Sequence, residues 1–382
     1  MTRKTDREQT VLVLQGGGAL GAYQAGAVEE LDARGHHPDW VAGISIGAIN
    51  AALIAGNPPE TCVDQLRAFW TRITSNTAYL TPLKFNTALT VFNNISAAAT
   101  MTTGAPGFFQ PRVPPAPMRL PGQEGADSYY DTSELRETLL ELVDFDRLNN
   151  GPTRLSIGAV NVATGNMTWF DSARETIRPE HIMASGALPP GFPAVEIDGQ
   201  FYWDGGLVSN TPLKYVLDHP GDSSEMCIFQ IDLFNAKGPV PQSVWDIESR
   251  VKDIRYSSRT RFNTEMMKRL HQQREAAERL FKKLPKELQN DPDARALLCE
   301  DDEPDIAIVH LIYRQAQYEG GSKDYEFSRN SMLDRWAAGR EDVMETLTHP
   351  DWENRHKSEG RIGIYDLAGD RWNRHRTAKE AK

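Results

Sequence analysis

Val11 to Gly56 reads VLVLQGGGALGAYQAGAVEELDARGHHPDWVAGISIGAINAALIAG. Its first four residues, Val11-Leu-Val-Leu14, form an apolar run that ends in glycine, the pattern of a strand buried on both faces. Gly16-Gly-Gly-Ala-Leu-Gly21 turns the chain, and Ala22 to Leu31 then has the character of a helix ending near Gly35. Trp40-Val-Ala42 begins a second short strand and Gly43-Ile-Ser-Ile-Gly47 a second turn. A small-residue helix follows, Ala48 to Ala55, closed by Gly56-Asn-Pro58. Strand, glycine turn and helix, twice over, predict parallel strands joined by crossover helices.

Outward from this stretch the pattern breaks and resumes. Six of the 23 prolines fall between Pro106 and Pro121, beside Phe108 and Phe109, which look exposed. Residues 75–130 are therefore expected to be a lid-like surface excursion without regular structure; an insertion with no gating role is the alternative. Periodicity returns as a helix at Ser133 to Val143 and strands at Arg154 to Val162 and Thr168 to Phe170. Ala194 to Ile197 and Gln200 to Trp203 flank Asp198-Gly199, a two-residue hairpin signal, and Cys227 to Leu233 is another buried-type strand. The main domain is expected to span 9–235, followed by a mostly helical extension at 236–366 packed on it and a frayed tail at 367–382. Within the extension, residues 250–286 hold 12 Lys/Arg against 4 Asp/Glu. Met266, Leu270, Ala277, Leu280, Phe281 and Leu284 recur there at helical spacing. That basic amphipathic helix has two readings: a surface helix whose stripe packs on the domain, or one that docks on an anionic bilayer. Ile306 to Ile312 predicts a strand and Arg329 to Leu347 a helix.

The chain has 382 residues and a net charge of −11, with 40% apolar and 25% charged residues, enough to bury a substantial core. Cys62, Cys227 and Cys299 are too few and too scattered for a disulfide framework or a Cys-rich metal site. Zinc and calcium motifs are absent, so no metal or cofactor is expected. The acidity argues against nucleic acid as a partner, since phosphates must be met by positive charge. No run of about 18 uncharged apolar residues occurs, and Val11 to Leu14 is too short for a signal-peptide core, so a cytoplasmic location is expected.

Three motifs carry chemistry. Gly16-x-Gly18-x-x-Gly21, between strand and helix, fits a dinucleotide-binding turn, an oxyanion hole or a plain structural turn. Asp39 lies near where a ribose-binding acid is sought but precedes its strand rather than ending it. Gly43-Ile-Ser45-Ile-Gly47 is a nucleophile-elbow pattern in strand–turn–helix context; the alternative has Ser45 merely capping the helix. No later histidine sits in an obvious loop at a strand end, leaving only His181 and His219 as bases for an ordinary triad. Asp204-Gly205-Gly206 ends a hairpin arm, where a carboxylate can be buried and aimed, whereas Asp198 in the hairpin turn should face water.

Taken in order, Gly16 to Gly21, Gly43 to Gly47 and Asp204 to Gly206 resemble the patatin-like phospholipase family, as does Ala184-Ser-Gly-Ala-Leu-Pro-Pro-Gly-Phe-Pro193. The similarity covers about residues 9–235. It implies a three-layer α/β/α fold with a mainly parallel central sheet. It also implies a lipase or phospholipase A-type acyl hydrolase working through a Ser–Asp dyad. By the resemblance Ser45 is the nucleophile and Asp204 the base. The backbone of Gly16, Gly17, Gly18 and Ala19 forms the oxyanion hole, while Gly21, Gly43, Gly47, Gly205 and Gly206 complete the motifs. Many members carry Arg or Lys where Leu20 stands and an acid or similar residue at Gln15, so charge-assisted help with phosphate head groups is missing here. The expected partner is a lipid or other acyl ester, with peripheral membrane contact through residues 250–286 following only from the bilayer-docking reading of that helix. Alternatives are a hydrolase of a short-chain ester or intracellular polyester, a nucleotide-binding module using Gly16 to Gly21, and a non-catalytic scaffold.

Overall fold

The computed structural model describes residues 7–77, 86–221, 223–296, 304–314, 319–355 and 362–369. Among the described residues nine strands form one central sheet. They are β1 (Gln9–Leu14), β2 (Trp40–Ile44), β3 (Arg154–Asn161), β4 (Met167–Asp171) and β5 (Val195–Ile197). β6 (Gln200–Asp204), β7 (Glu225–Asp232), β8 (Asp305–Ile312) and β9 (Ile362–Tyr365) complete it. The order is β9-β8-β7-β1-β2-β3-β6-β5, with β4 on the other side of β3. The run from β9 through β3 is parallel, and β4, β5 and β6 add antiparallel pairs.

The continuous apolar character of Val11 to Leu14 has a direct cause: β1 is central, paired with β2 and β7, and covered on both faces. Alternate residues enter different cores. Leu12 and Leu14 pack under α1 (Ala22–Ala33), α2 (Ile46–Ala55) and α3 (Pro59–Ile73), whereas Val11 and Val13 join Trp40, Ala42, Leu213 and Val216 on the opposite face. This period of two, with helices on each side, makes the three-layer arrangement.

Residues 75–130 differ from the expected structureless excursion. They contain α4 (Asn86–Thr103), a helix built from Asn, Thr, Ser and Ala whose weak propensity hides it from a pattern reading. Residues 78–85 lie outside the described residues. Phe108 and Phe109 are buried, not exposed; they meet Phe192 and Phe327, with Phe69 against Phe108 and Tyr130 against Phe109. An aromatic cluster of this kind anchors an otherwise irregular segment. Further along, α5 (Ser133–Leu142) and α6 (Pro179–Ser185) lie on the same side as α2, and α7 (Leu213–Asp218) covers the other face.

The chain beyond 235 is mostly helical but is not merely packed against a finished domain. β8 pairs with β7 along its length, from Asp305 opposite Glu225 to Ile312 opposite Asp232, and β9 adds outside it. β7 is buried from Met226 to Asp232, so its outer edge needs this partner. The helix α9 (Arg329–Thr348) lies so close on α1 that a Cβ at Gly26 would stand 1.9 Å from the Trp336 carbonyl oxygen. Leu367 and Ala368 are buried, so the first residues of the expected frayed tail are packed; residues 370–382 lie outside the described residues. Cys62 and Cys227 are buried free thiols, and Cys299 lies outside the described residues.

The basic segment falls in α8 (Val244–Phe281), a 38-residue helix. Its inward face at Ser249, Asp253 and Ser257 is polar, while Val244, Ile247, Val251 and Ile254 are exposed, as are Met266 and Leu280. Of the described stripe residues, Met266 and Leu280 are exposed, whereas Ala277, Phe281 and Leu284 are half-buried. Among the described residues no helix is long and apolar enough to cross a membrane.

Candidate active site

β2 ends at Ile44, and Ser45 takes φ 56° and ψ −126° before α2 begins at Ile46. A positive φ on a non-glycine residue is strained, and the surrounding glycines make it possible. A Cβ on Gly43 would lie 2.3 Å from the Gly47 carbonyl oxygen, and one on Gly47 would lie 2.4 Å from the Leu14 carbonyl oxygen. Ser45 N–H donates to Ser185 Oγ at 2.9 Å, and Ser185 Oγ–H donates to the Gly158 carbonyl at 2.7 Å. Ser185, buried at the end of α6, thereby ties the elbow to β3. The Ser45 side chain makes no capping bond to α2, which removes the reading as a simple N-cap.

Asp204 ends β6, and its side chain is 2% exposed. One carboxylate oxygen accepts from Gly206 N–H at 2.7 Å, and the Ser45 side chain lies near enough to favour the ionised carboxylate. Burial pushes its pKa up to about 6, against the opposing pull of the nearby Ser45 side chain and the Gly206 N–H. At neutral pH the group is an ionised base far stronger than an exposed aspartate. Asp198 behaves as its contrast in the same hairpin: it sits in the turn at φ 49°, exposed and paired with Arg178 at 2.9 Å.

The glycine loop lies against the elbow, since a Cβ on Gly16 would stand 3.0 Å from Ser45 Cβ. Its four candidate donors are not equivalent. Gly16 N–H donates to the Asn210 carbonyl at 3.1 Å and Ala19 N–H to the Asp324 carbonyl at 2.8 Å. Both are therefore unavailable, a correction to the expectation that all four serve. The Gly17 and Gly18 N–H groups have no partner among the described residues. Because a trans peptide sets its N–H opposite its C=O, the loop aims both. Asn210 Nδ2 donates to the Gly16 carbonyl at 2.8 Å, turning the Gly17 N–H away from it. Leu20 N–H donates to the Gly17 carbonyl at 3.2 Å, doing the same for the Gly18 N–H. Gln15, fully buried, accepts from Leu233 N–H at 2.6 Å and donates to Thr211 Oγ at 3.1 Å, fixing the strand end that feeds the loop.

Other candidates fall away. Asp39 accepts from Thr10 N–H at 2.9 Å and pairs with Arg7, which puts it at the start of β1 and β2, the opposite end of the sheet from the glycine loop. With Gly16 and Ala19 engaged as well, the loop keeps two of its four donors, and Asp39 is not at the strand end where a dinucleotide site needs its acid. His181 Nδ1 accepts from Arg178 N–H at 2.9 Å, and His219 lies against the Tyr215 ring and carbonyl. Neither histidine bonds to Ser45 or Asp204. Ser185 and Asn210 were given no role by sequence reasoning; Ser185 lies in the stretch 184–193 that bears the family likeness, while Asn210 carries no comparable signal. Among the described residues no group of His, Cys, Asp and Glu could hold a metal ion.

Family models and solved structures both resemble the chain. Residues 254–359 match a family model described as patatin phospholipase. Among solved structures, VipD from Legionella pneumophila is similar at 13% identity, over 95% of this chain and 72% of that one, with a TM-score of 0.39. The complex of SpcU with ExoU from the type III secretion system of Pseudomonas aeruginosa is similar at 16% identity and a TM-score of 0.26. That match covers 62% of this chain but 45% of the other. No curated protein matches. The patatin-like phospholipase model matches residues 12–217, more than half of the sequence and all three motifs, and the chain belongs to that family.

Proposed function

We propose that the protein is a serine hydrolase of lipid acyl esters in which Ser45 and Asp204 form the catalytic dyad. The observation that carries this reading is a strained serine beside a buried carboxylate whose pKa is raised to about 6. Ser45 Oγ attacks the ester carbonyl carbon while its proton passes to Asp204. Charge developing on the carbonyl oxygen is met by the Gly17 and Gly18 N–H groups, with the N-terminal end of α2 behind Ser45 adding favourable dipole. The leaving alcohol takes the proton from Asp204. The carboxylate then accepts a proton from water, which attacks the acyl carbon; as the Ser45 Oγ–acyl bond breaks, Asp204 returns that proton to Ser45 Oγ and the acid is released.

Family membership supports lipid esters as the substrate class. Docking on a bilayer is supported by the exposed apolar row Val244, Ile247, Val251 and Ile254, leading into the segment with a net charge of +8 at 250–286. The test is an activity screen over phospholipids, lysophospholipids, neutral glycerides and short-chain esters with Ser45→Ala as the blank. A fluorophosphonate should label Ser45 alone. Hydrolysis surviving in Ser45→Ala, or labelling elsewhere, would overturn the assignment.

A further inference from the structure

The glycine loop is gripped from behind by the C-terminal part of the chain. Ala19 N–H donates to the Asp324 carbonyl at 2.8 Å, and a Cβ on Gly18 would stand 2.1 Å from that oxygen. The other end of Ala19 is held too. Arg335 of α9, 1% exposed, donates from Nη1 to the Ala19 carbonyl at 3.2 Å and to the Glu326 carbonyl at 3.1 Å. Its Nε donates to Glu319 Oε1 at 3.0 Å, and Glu319 accepts from the Tyr313 hydroxyl at 2.7 Å. Burial disfavours the Arg335 charge, but Glu319 and Glu326 more than offset this and keep it protonated. The segment carrying Asp324 is strapped in turn to α8, where Lys252 donates to the Gly321 carbonyl at 2.8 Å and to Asp324 Oδ1 at 2.6 Å.

These contacts form a relay. The Ala19 carbonyl that Arg335 holds shares a peptide with Leu20 N–H, which donates to the Gly17 carbonyl. The Gly17 carbonyl shares a peptide with Gly18 N–H, an amide without a partner among the described residues. A permanent positive charge thus stands at the head of two peptide groups in series whose last N–H has no partner among the described residues. Hydrogen bonds in such a chain polarise and orient one another. We propose that Arg335 is a positioning residue for the oxyanion hole, acting through the Ala19–Leu20 and Gly17–Gly18 peptides, so that the C-terminal region is a working part of the active site. This rests on the reading of Ser45 and the glycine loop given above.

The experiment compares kcat and KM for p-nitrophenyl butyrate in the full-length protein, Arg335→Lys and Arg335→Met. Rates are divided by the fraction of sites that a fluorophosphonate labels at saturation, which removes unfolded protein from the comparison. A misdirected donor should lower kcat by roughly 10- to 100-fold in Arg335→Met, less than loss of a whole donor, with KM within about twofold. Arg335→Lys, keeping charge but not the fork, should fall between. The rate of fluorophosphonate inactivation should drop in parallel, because that reaction builds the same oxyanion. If the Arg335 variants do not fold, Lys252→Met, which frees Asp324 from the outer side, must show the same split in weaker form. An unchanged kcat per labelled site, or a loss confined to KM, overturns the relay. Failure of the unaltered protein to label at Ser45 would instead remove the dyad, so the two failures are distinguishable.

Discussion

Asp204→Asn should abolish hydrolysis and yet make the protein more stable, by an amount that depends on pH. The carboxylate's pKa rises from an ordinary 3.8 to about 6 because the ionised form is buried. At 1.36 kcal/mol per pKa unit, that difference costs the folded state about 3 kcal/mol once the group is charged. The sign follows from proton binding. The folded protein holds this proton more tightly than the unfolded chain does, so its stability falls as pH rises through about 4 to 6, and the loss is complete above that. Asparagine has the same shape, can still accept from Gly206 N–H, and carries no charge to bury. The gap between the Asp204→Asn variant and the native protein should therefore be near zero at about pH 4 and reach at most about 3 kcal/mol at about pH 8. Domains of 150–250 residues gain roughly 2–4 °C per kcal/mol, and longer chains less, so a rise of several degrees is expected. Thermal melts of both proteins across this pH range, followed by circular dichroism, give the comparison. A gap that does not widen with pH, or a lower melting temperature for the variant at pH 8, would refute the buried-base argument.

The remaining expectations concern activity and the elbow. The acidic limb of the kcat/KM profile should fall off as pH drops through about 6, because protonated Asp204 cannot accept the Ser45 proton; a limb near the pKa of an exposed aspartate would contradict this. Ser185→Ala strands both the Ser45 N–H and the Gly158 carbonyl. It should cost about 1–3 kcal/mol in urea unfolding and lower kcat more than it raises KM. Gly18→Ala places a methyl against the Asp324 carbonyl at a residue with φ +55°. It should slow fluorophosphonate labelling at Ser45 even where circular dichroism shows the fold intact.

How far the sequence foretells this site depends on what kind of constraint each residue obeys. Ser45 and Asp204 stand out because their neighbours must be glycine: Gly43 and Gly47 press on backbone, and a Cβ on Gly205 would lie 2.6 Å from the Gly158 carbonyl oxygen. Backbone crowding leaves a local trace, and the same is true of the apolar run in β1. Partners chosen by long-range geometry leave none. Arg335 reaches Ala19 from a helix more than three hundred residues away, and in sequence it is one arginine among many on an amphipathic stretch. Which of the four loop amides are free is equally invisible in sequence, because it is decided by the Asn210 and Asp324 carbonyls that claim the other two. Phe108 and Phe109 looked exposed for the same reason: their cover, Phe327 and Phe192, comes from distant segments. Asp39 shows the converse, where a suggestive spacing put an acid in a plausible register but at the wrong end of its strand. The motif residues supply reactive groups and the room for them. Their aim is set by ordinary residues brought in by tertiary structure, so substituting those residues should alter rate before it alters substrate binding.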